Sequence, residues 1–330
     1  MSTPKESLGR RLHTLSRLSS TWHETLHHIY VVLALLGIVG TFFFSPTSKE
    51  VVLLVVLGLY LIVFSLFSLA SSYINGEKAK YAEALAGVHQ AIHYARDIYH
   101  RIDYELADES THAGPPSYSD REFRQDVQKV LTVTAQVFSM VSSVKCRTSI
   151  KLLGKKPDAS SDSLDAYYVT TLARDQASET ESRERDAAEG TRHLVRDNTD
   201  FWTIIRRQKA YFFNDGLSSS DNYENSSFKL HPTLPKYEST IVWPIRYVYD
   251  AQAADEHEAE PLRQALCGFL TVDSGSKGSF SERYDVQLGA IISDGLYPAL
   301  DAYRALRQKR MLAQRGAVQQ GARNVQLLST

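Results

Sequence analysis

The chain has 330 residues, with 37 Lys and Arg against 38 Asp and Glu, for a formal net charge of −1. That length fits one or two domains, and the even charge balance argues against nucleic acid as a partner held by a global basic surface. Two cysteines, Cys146 and Cys267, cannot build a disulfide framework, so a packed core has to stabilise the fold.

The ordinary averages hide an extreme near the N-terminus. Residues 29–44 (IYVVLALLGIVGTFFF) and 51–70 (VVLLVVLGLYLIVFSLFSLA) carry no charge and are separated by SPTSKE. About 20 apolar residues cross a bilayer's hydrocarbon core, so the second run spans it, and the first does so by recruiting flanking residues or thinning the lipid. A signal peptide competes for the first run, behind the basic Lys5, Arg10, Arg11 and Arg17. Its end in three phenylalanines, with no small-residue cleavage pattern, favours an uncleaved anchor. The short connection forces an antiparallel hairpin over 29–74 with both chain ends on one side. Four basic residues precede the hairpin and Lys49 is alone inside it, so the positive-inside rule places both ends in the cytoplasm. The expectation is a multi-pass protein of the cell inner membrane, with the lipid bilayer as one partner and residues 1–28 as a cytoplasmic N-terminal segment. Two core helices of a soluble domain are the alternative, disfavoured because neither run has a polar stripe.

From Glu77 the chain is free of proline, and Tyr81, Leu85, Val88, Ile92, Ala95, Tyr99, Ile102 and Leu106 recur at alternating spacings of four and three. This a/d seam predicts a coiled-coil stalk over 75–109 that joins copies of the chain into a homo-oligomer, with packing on the chain's own body as the alternative. The paired prolines of ESTHAGPPSYSD mark a linker at 110–119. Asp120 is positioned to cap the next helix, whose apolar face is Phe123, Val127, Val130, Leu131, Val137, Phe138 and Val141. The period then switches. Residues 146–153 and 167–172 read as an antiparallel strand pair, 178–198 as a charged solvated loop with a short helix, and FWTIIRRQ as a helix anchored by Phe201, Trp202, Ile204 and Ile205. Residues 210–213, 239–249 and 265–273 read as further strands, the last two flanking an acidic loop, DAQAADEHEAEP. A helix starts at Phe280, bent or interrupted at Pro298, and 311–330 reads as a flexible tail. The fold class is α+β: a transmembrane helical hairpin, a helical stalk, and an antiparallel sheet flanked by helices over 120–310.

Three segments carry a resemblance. STIVWPIRY (239–247), GFLTVDS (268–274) and FSERYDVQLGAIISDGLY (280–297) resemble the GAF family of sensory domains, with its strand ending in a hydrophobic-Pro step, its next strand ending in Asp and its Phe-led final helix. The likeness covers about 120–306. The chain departs from the Asn-Lys-Phe-Asp-Glu signature of cyclic-nucleotide-binding members, since Phe280 and Asp285 have no Asn-Lys partner, so binding of cAMP or cGMP is not carried over. Bilin attachment needs a suitably placed cysteine, whereas Cys146 and Cys267 fall in apparent strands as small buried hydrophobes. The family holds small ligands between sheet and variable loops. The resemblance therefore implies a ligand-binding role for Trp202, Tyr211, Asn214, Tyr223, Ser239, Thr240, Trp243 and Arg246, with core packing the competing account of the aromatics. Arg246 suits a phosphate or carboxylate.

Other motifs point elsewhere and are weighed against it. His23-Glu24-Thr25-Leu26-His27 matches H-E-x-x-H, but no third ligand follows before Glu50, so it is read as a chance match. His89 and His93 fall at solvated heptad positions. The segment from Asp273 to Lys277 lacks the residue order of a phosphate-binding loop. The functional expectation is a membrane-anchored cytoplasmic sensor or effector that binds a small ligand, with a nucleotide signal as one candidate. It passes the signal through the stalk to the spans, as in membrane-disrupting effectors of nucleotide-triggered bacterial defence. The alternative is a membrane-tethered scaffold whose GAF-like domain binds a partner protein and no small molecule. No catalytic residue, metal, cofactor or nucleic-acid partner is expected.

Overall fold

The computed structural model describes residue 32 and residues 48–107, 118–156, 164–179, 192–220, 223–230, 236–246 and 266–328, without the side chains of 48–50, 52–54, 227, 230 and 314–328. The first apolar run apart from Val32, the H-E-x-x-H motif and the acidic loop lie outside the described residues. By contact the chain divides into two compact units, Met1–Lys80 and Tyr81–Thr330.

Helix α1 runs Ser48–Ala107 and contributes to both units. In the first unit most of its described large apolar side chains are exposed, with Tyr60 at 62%, Val63 at 65% and Phe67 at 71%. Among the described residues this is the one helix long and apolar enough to cross a membrane. The second apolar run of the expected hairpin is this helix; the first lies outside the described residues.

In the second unit the same helix is core. Ala84, Val88, Ala91, Ala95, Ile98 and Ile102 are buried, in one cluster with α2 (Asp120–Ser142) and with α5, the last helix (Asp285–Leu328). The expected heptad phase holds at Val88, Ala95 and Ile102, which pack in the chain's own core, and shifts at Leu85, which is exposed while Ala84 is fully buried. Small residues explain the shift. A Cβ on Gly87 would lie 2.4 Å from Val137 Cγ2, so glycine lets α1 approach α2 closely. Tyr81 donates to Asp285 Oδ1 at 2.9 Å and Lys309 Nζ to the Leu106 carbonyl at 3.1 Å, closing the helix onto α5. The cap of α2 is also corrected by one residue: Ser119 is the N-cap, in a reciprocal capping box with Glu122.

The sheet is six-stranded and antiparallel. Strands β1 (Cys146–Lys155), β2 (Tyr167–Arg174), β3 (His193–Leu194), β4 (Phe212–Asn214), β5 (Ser239–Arg246) and β6 (Leu266–Ser274) take the order β3-β2-β1-β6-β5-β4. Helix α3 (Thr199–Arg207) lies between β3 and β4 in the chain, and the short α4 (Ser226–Leu230) between β4 and β5. The expected β1–β2 pairing forms, with a register shift at Ile150/Lys151. At the β1–β6 pair a Cβ on Gly268 would sit 2.1 Å from the Lys151 carbonyl oxygen, so only glycine fits there.

Period-2 alternation divides the sheet residues between two faces. Ile150, Ile241, Trp243, Ile245, Leu270 and Val272 pack with α1, α2 and α5 in the main core. Val169, Val242 and Phe269 join Val195 and the α3 residues Phe201 and Ile204 in a second, smaller cluster on the opposite face. The architecture is α+β, as expected. Pro298 lies inside α5, which runs on to Leu328.

Candidate functional site

The second face is where polar groups gather. Three adjacent strands place Lys151 and Ser149 on β1, Thr271 and Asp273 on β6, and Thr240 on β5. Thr240 Oγ1 donates to Asp273 Oδ1 at 2.6 Å, Ser149 Oγ and Thr271 Oγ1 are 2.8 Å apart, and Lys151 Nζ donates to Thr171 Oγ1 at 2.6 Å.

A cover closes over these groups. Helix α3 brings Asp200 in its first turn, only 2% exposed, with Phe201 and Ile204 turned into the apolar cluster. The segment before α4 is latched to the start of α3. Thr199 N donates to the Glu224 carbonyl at 3.0 Å, Glu224 N to Thr199 Oγ1 at 2.8 Å, and Ser226 N to Asn198 Oδ1 at 3.1 Å. The latch sets Tyr223 and Asn225. Tyr223 OH lies 3.4 Å from Asp200 Oδ2 and 3.0 Å from Tyr237 OH, and Asn225 Nδ2 donates to Tyr237 OH at 2.6 Å. Outside them Phe212 stacks on Tyr223 and Phe228 packs on Tyr237.

The electrostatics follow from burial. Removal from water pushes the Asp200 carboxyl up to about 7, and the charge of Asp273 adds to this while Lys151 opposes it. Burial likewise pushes Asp273 up to about 6, against the Thr240 hydrogen bond and the cations Lys151, Arg174 and Arg147. The phenols of Tyr223 and Tyr237 are raised well above their ordinary range by burial first. The two carboxyls therefore titrate near neutrality beside one lysine. Such a constellation offers either a donor or an acceptor to a polar partner, and perturbed carboxyls in a covered site are a physical marker of function.

Of the eight expected ligand-binding residues, Tyr223 and Thr240 belong to this constellation. Trp202 is half-buried against the second apolar cluster with Arg206 and Arg207 over its ring. Asn214 Oδ1 accepts from Gly216 N in the turn after β4, and Ser239 Oγ donates to the Ser276 carbonyl. Tyr211 OH donates to Glu282, and half-buried Arg246 has its guanidinium lowered by burial, opposed by Asp294. Trp243 is a core residue. Its Nε1 donates to the Val286 carbonyl at 2.9 Å, and its ring fills the space that a Cβ on Gly289 would enter. The odd-numbered position on β5 faces the helices, while Thr240 and Val242 face the cover.

Sequence reasoning did not nominate Lys151, Asp200, Asn225, Tyr237 or Asp273. One signal was present: Lys151 and Asp273 interrupt apolar strand runs on the same face, where a charge is costly unless it has partners. The two thiols lie with the main core, each pushed up to about 11 by burial.

No family model matches the sequence, and no curated protein matches it. Among solved structures the chain is similar to the GAF domain of an Acinetobacter phosphoenolpyruvate-protein phosphotransferase, at 12% identity over 64% of this chain and 93% of that one, TM-score 0.35. It is similar to the corresponding GAF domain from Coxiella burnetii, at 10% identity over 66% and 98%, TM-score 0.35. It is also similar to the type II free methionine-R-sulfoxide reductase of Thermoplasma acidophilum, at 14% identity over 55% and 94%, TM-score 0.34.

Proposed function

We propose that this chain is a membrane-anchored sensor. The apolar stretch of α1 holds it to the bilayer, and the α+β domain, GAF-like by the resemblance of its strands and last helix, takes a small polar ligand at the covered face. The observation that carries the ligand reading is the convergence of Lys151, Thr240 and Asp273 from neighbouring strands with Asp200, Tyr223 and Tyr237 from the cover. Buried carboxyls raised in this way cost stability, and a fold keeps such groups where they act. The anchor reading rests on exposed large apolar side chains from Val55 to Ile74, which water does not favour. A change at the site reaches α1 through β5, whose Trp243 holds the first turn of α5, where Asp285 accepts from Tyr81.

The test is to purify the full chain in detergent, extract what it retains and compare it with Asp273→Asn and Tyr237→Phe by mass spectrometry. The expected result is a small polar compound held by the wild type and reduced at least about tenfold in both variants, with unchanged far-UV dichroism. Equal retention in all three places the ligand elsewhere. Failure of the wild type to pellet with carbonate-washed membranes removes the anchor.

A second reading has an observation of its own. Tyr223, Tyr237, Asn225 and Asp200 already hydrogen-bond to one another, which is what a scaffold without a small ligand would show. Wild-type protein that retains no small molecule, and whose 223–230 amides exchange at the same rate in a low-mass cell extract, favours that reading.

A further inference from the structure

His89 and His93 stand one turn apart on α1, the first exposed and the second half-buried. Their Nε2 atoms are 2.8 Å apart and their rings meet edge to face at 4.2 Å. Arg96 Nη2 lies 2.7 Å from the other nitrogen of His93, Nδ1. A guanidinium only donates, so Nδ1 of His93 accepts. The proton of a neutral His93 therefore sits on Nε2 and points at His89 Nε2, whose lone pair receives it.

We propose that His89 and His93 form a chelating site for a divalent first-row transition ion, preferring copper(II) to nickel(II) and zinc(II). Both rings already bring the same nitrogen, Nε2, to 2.8 Å from its counterpart. With metal–nitrogen bonds of about 2.0 Å, nitrogens this far apart subtend about 90° at the ion, whereas a tetrahedral angle would need them about 3.3 Å apart. A right angle is the cis angle of tetragonal and octahedral sites, and copper(II) also leads the affinity order of the divalent ions. Among the described residues no group of three or more His, Cys, Asp and Glu assembles, so water completes the coordination.

Arg96 is the gate. To free its Nε2 lone pair, His93 passes that proton through solvent to Nδ1, and no electron moves. Nδ1–H then faces a donor, so Arg96 has to swing away, which its exposed position allows. A carboxylate in its place would accept from Nδ1–H and preset the binding tautomer, as outer partners do for metal-bound imidazoles.

The experiment uses the full chain in detergent without an affinity tag, titrated with copper(II) chloride against a competing chelator. Its readouts are the number of equivalents bound and the electron paramagnetic resonance of the ion. The proteins are wild type, the double variant His89→Ala/His93→Ala, and Arg96→Glu. The chain's other histidines remain in all three and set the common background. Wild type should bind one equivalent more than the double variant, with nitrogen hyperfine structure from two imidazoles. Arg96→Glu should bind that equivalent about tenfold more tightly. Nickel(II) and zinc(II) should bind it more weakly. Equal equivalents and affinity in the double variant would overturn the site. An Arg96→Glu affinity equal to wild type would overturn the tautomer argument on which it rests. Melting without metal, expected to be the same for all three because neither ring is in the core, separates loss of the site from loss of the fold.

Discussion

On the face covered by α1, α2 and α5, strands β5 and β6 present Ile241, Trp243, Ile245, Leu270 and Val272, all in the main core. On the other face the same strands present Thr240, Thr271 and Asp273 beside Val242 and Phe269. Both faces are buried, so burial alone does not separate them. What separates them is how each settles its polar groups. On the helix face the few present are tied one to one, as Trp243 Nε1 is to the Val286 carbonyl and Thr148 Oγ1 to the Leu131 carbonyl. On the cover face they meet one another and include two raised carboxyls. The first arrangement minimises the cost of burial and the second accepts it.

The largest effect that can break this contrast is on the helix face. Trp243→Ala should destabilise the domain by about 3–5 kcal/mol, as loss of a large buried aromatic does. Trp202→Ala, half-buried under two arginines, should cost about 1 kcal/mol through lost packing and cation–π contact. Denaturant unfolding of the full chain in detergent, followed by far-UV dichroism, measures both. Equal costs would mean that the cover packs as firmly as the helices do.

Next in size is the pH dependence of the cover face. The Asp200 carboxyl has a folded value of about 7 against an ordinary 3.8, so between these the folded chain holds a proton that the unfolded chain has lost. Stability therefore falls as pH rises from about 4 to about 7, and the loss is complete above that. Asp200→Asn removes the Asp200 part of this slope, while Asp273 keeps its own between about 4 and about 6, with a relative gain on the order of 4 kcal/mol at pH 8 and none at pH 4. A series of melts from pH 4 to 8 checks it. A slope unchanged in Asp200→Asn would show that the carboxyl is not held away from water, and the two faces would then be alike.

The sequence made the strand pairs legible, because β1, β2, β5 and β6 are long runs of branched and aromatic residues between turn formers. It hid their faces. A strand buried on both sides reads as continuous apolarity, and its period cannot be recovered from hydrophobicity. That is why the sequence leaves Trp243 open between a pocket wall and core packing, and only the structure shows it buried against Val286 and Gly289 while Val242 faces the cover. Asp200 was hidden differently. It precedes FWTIIRRQ at the end of a charged stretch, where an acid looks like a first-turn helix charge, whereas in the fold it is buried beside Tyr223, in a segment latched by Thr199 and Glu224. Tyr237 stands beside Lys236, Glu238 and a proline, with no pattern to mark it. Strand β3 is only two residues long and exists through its pairing with β2. Tertiary closure, which a local window does not contain, decides each of these.

The smallest predicted effect tests the same lesson on α1. Read as a heptad, Leu85 and Val88 are equivalent seam positions, and truncating either should loosen an oligomer equally. In the folded domain Val88 is 3% exposed and Leu85 is 52% exposed, because Ala84 and Ala91 take the inward positions that let α2 and α5 come close. Alanine at 84 contributes little hydrophobicity but permits a short helix–helix distance, and a pattern search that rewards large side chains selects its neighbour instead. Val88→Ala should therefore cost about 2 kcal/mol, while Leu85→Ala should stay within about 0.5 kcal/mol of wild type. Sedimentation of both variants in detergent should give the same particle mass. A loss of mass in Leu85→Ala, with melting unchanged, would restore the seam between copies and remove α1 from the domain core.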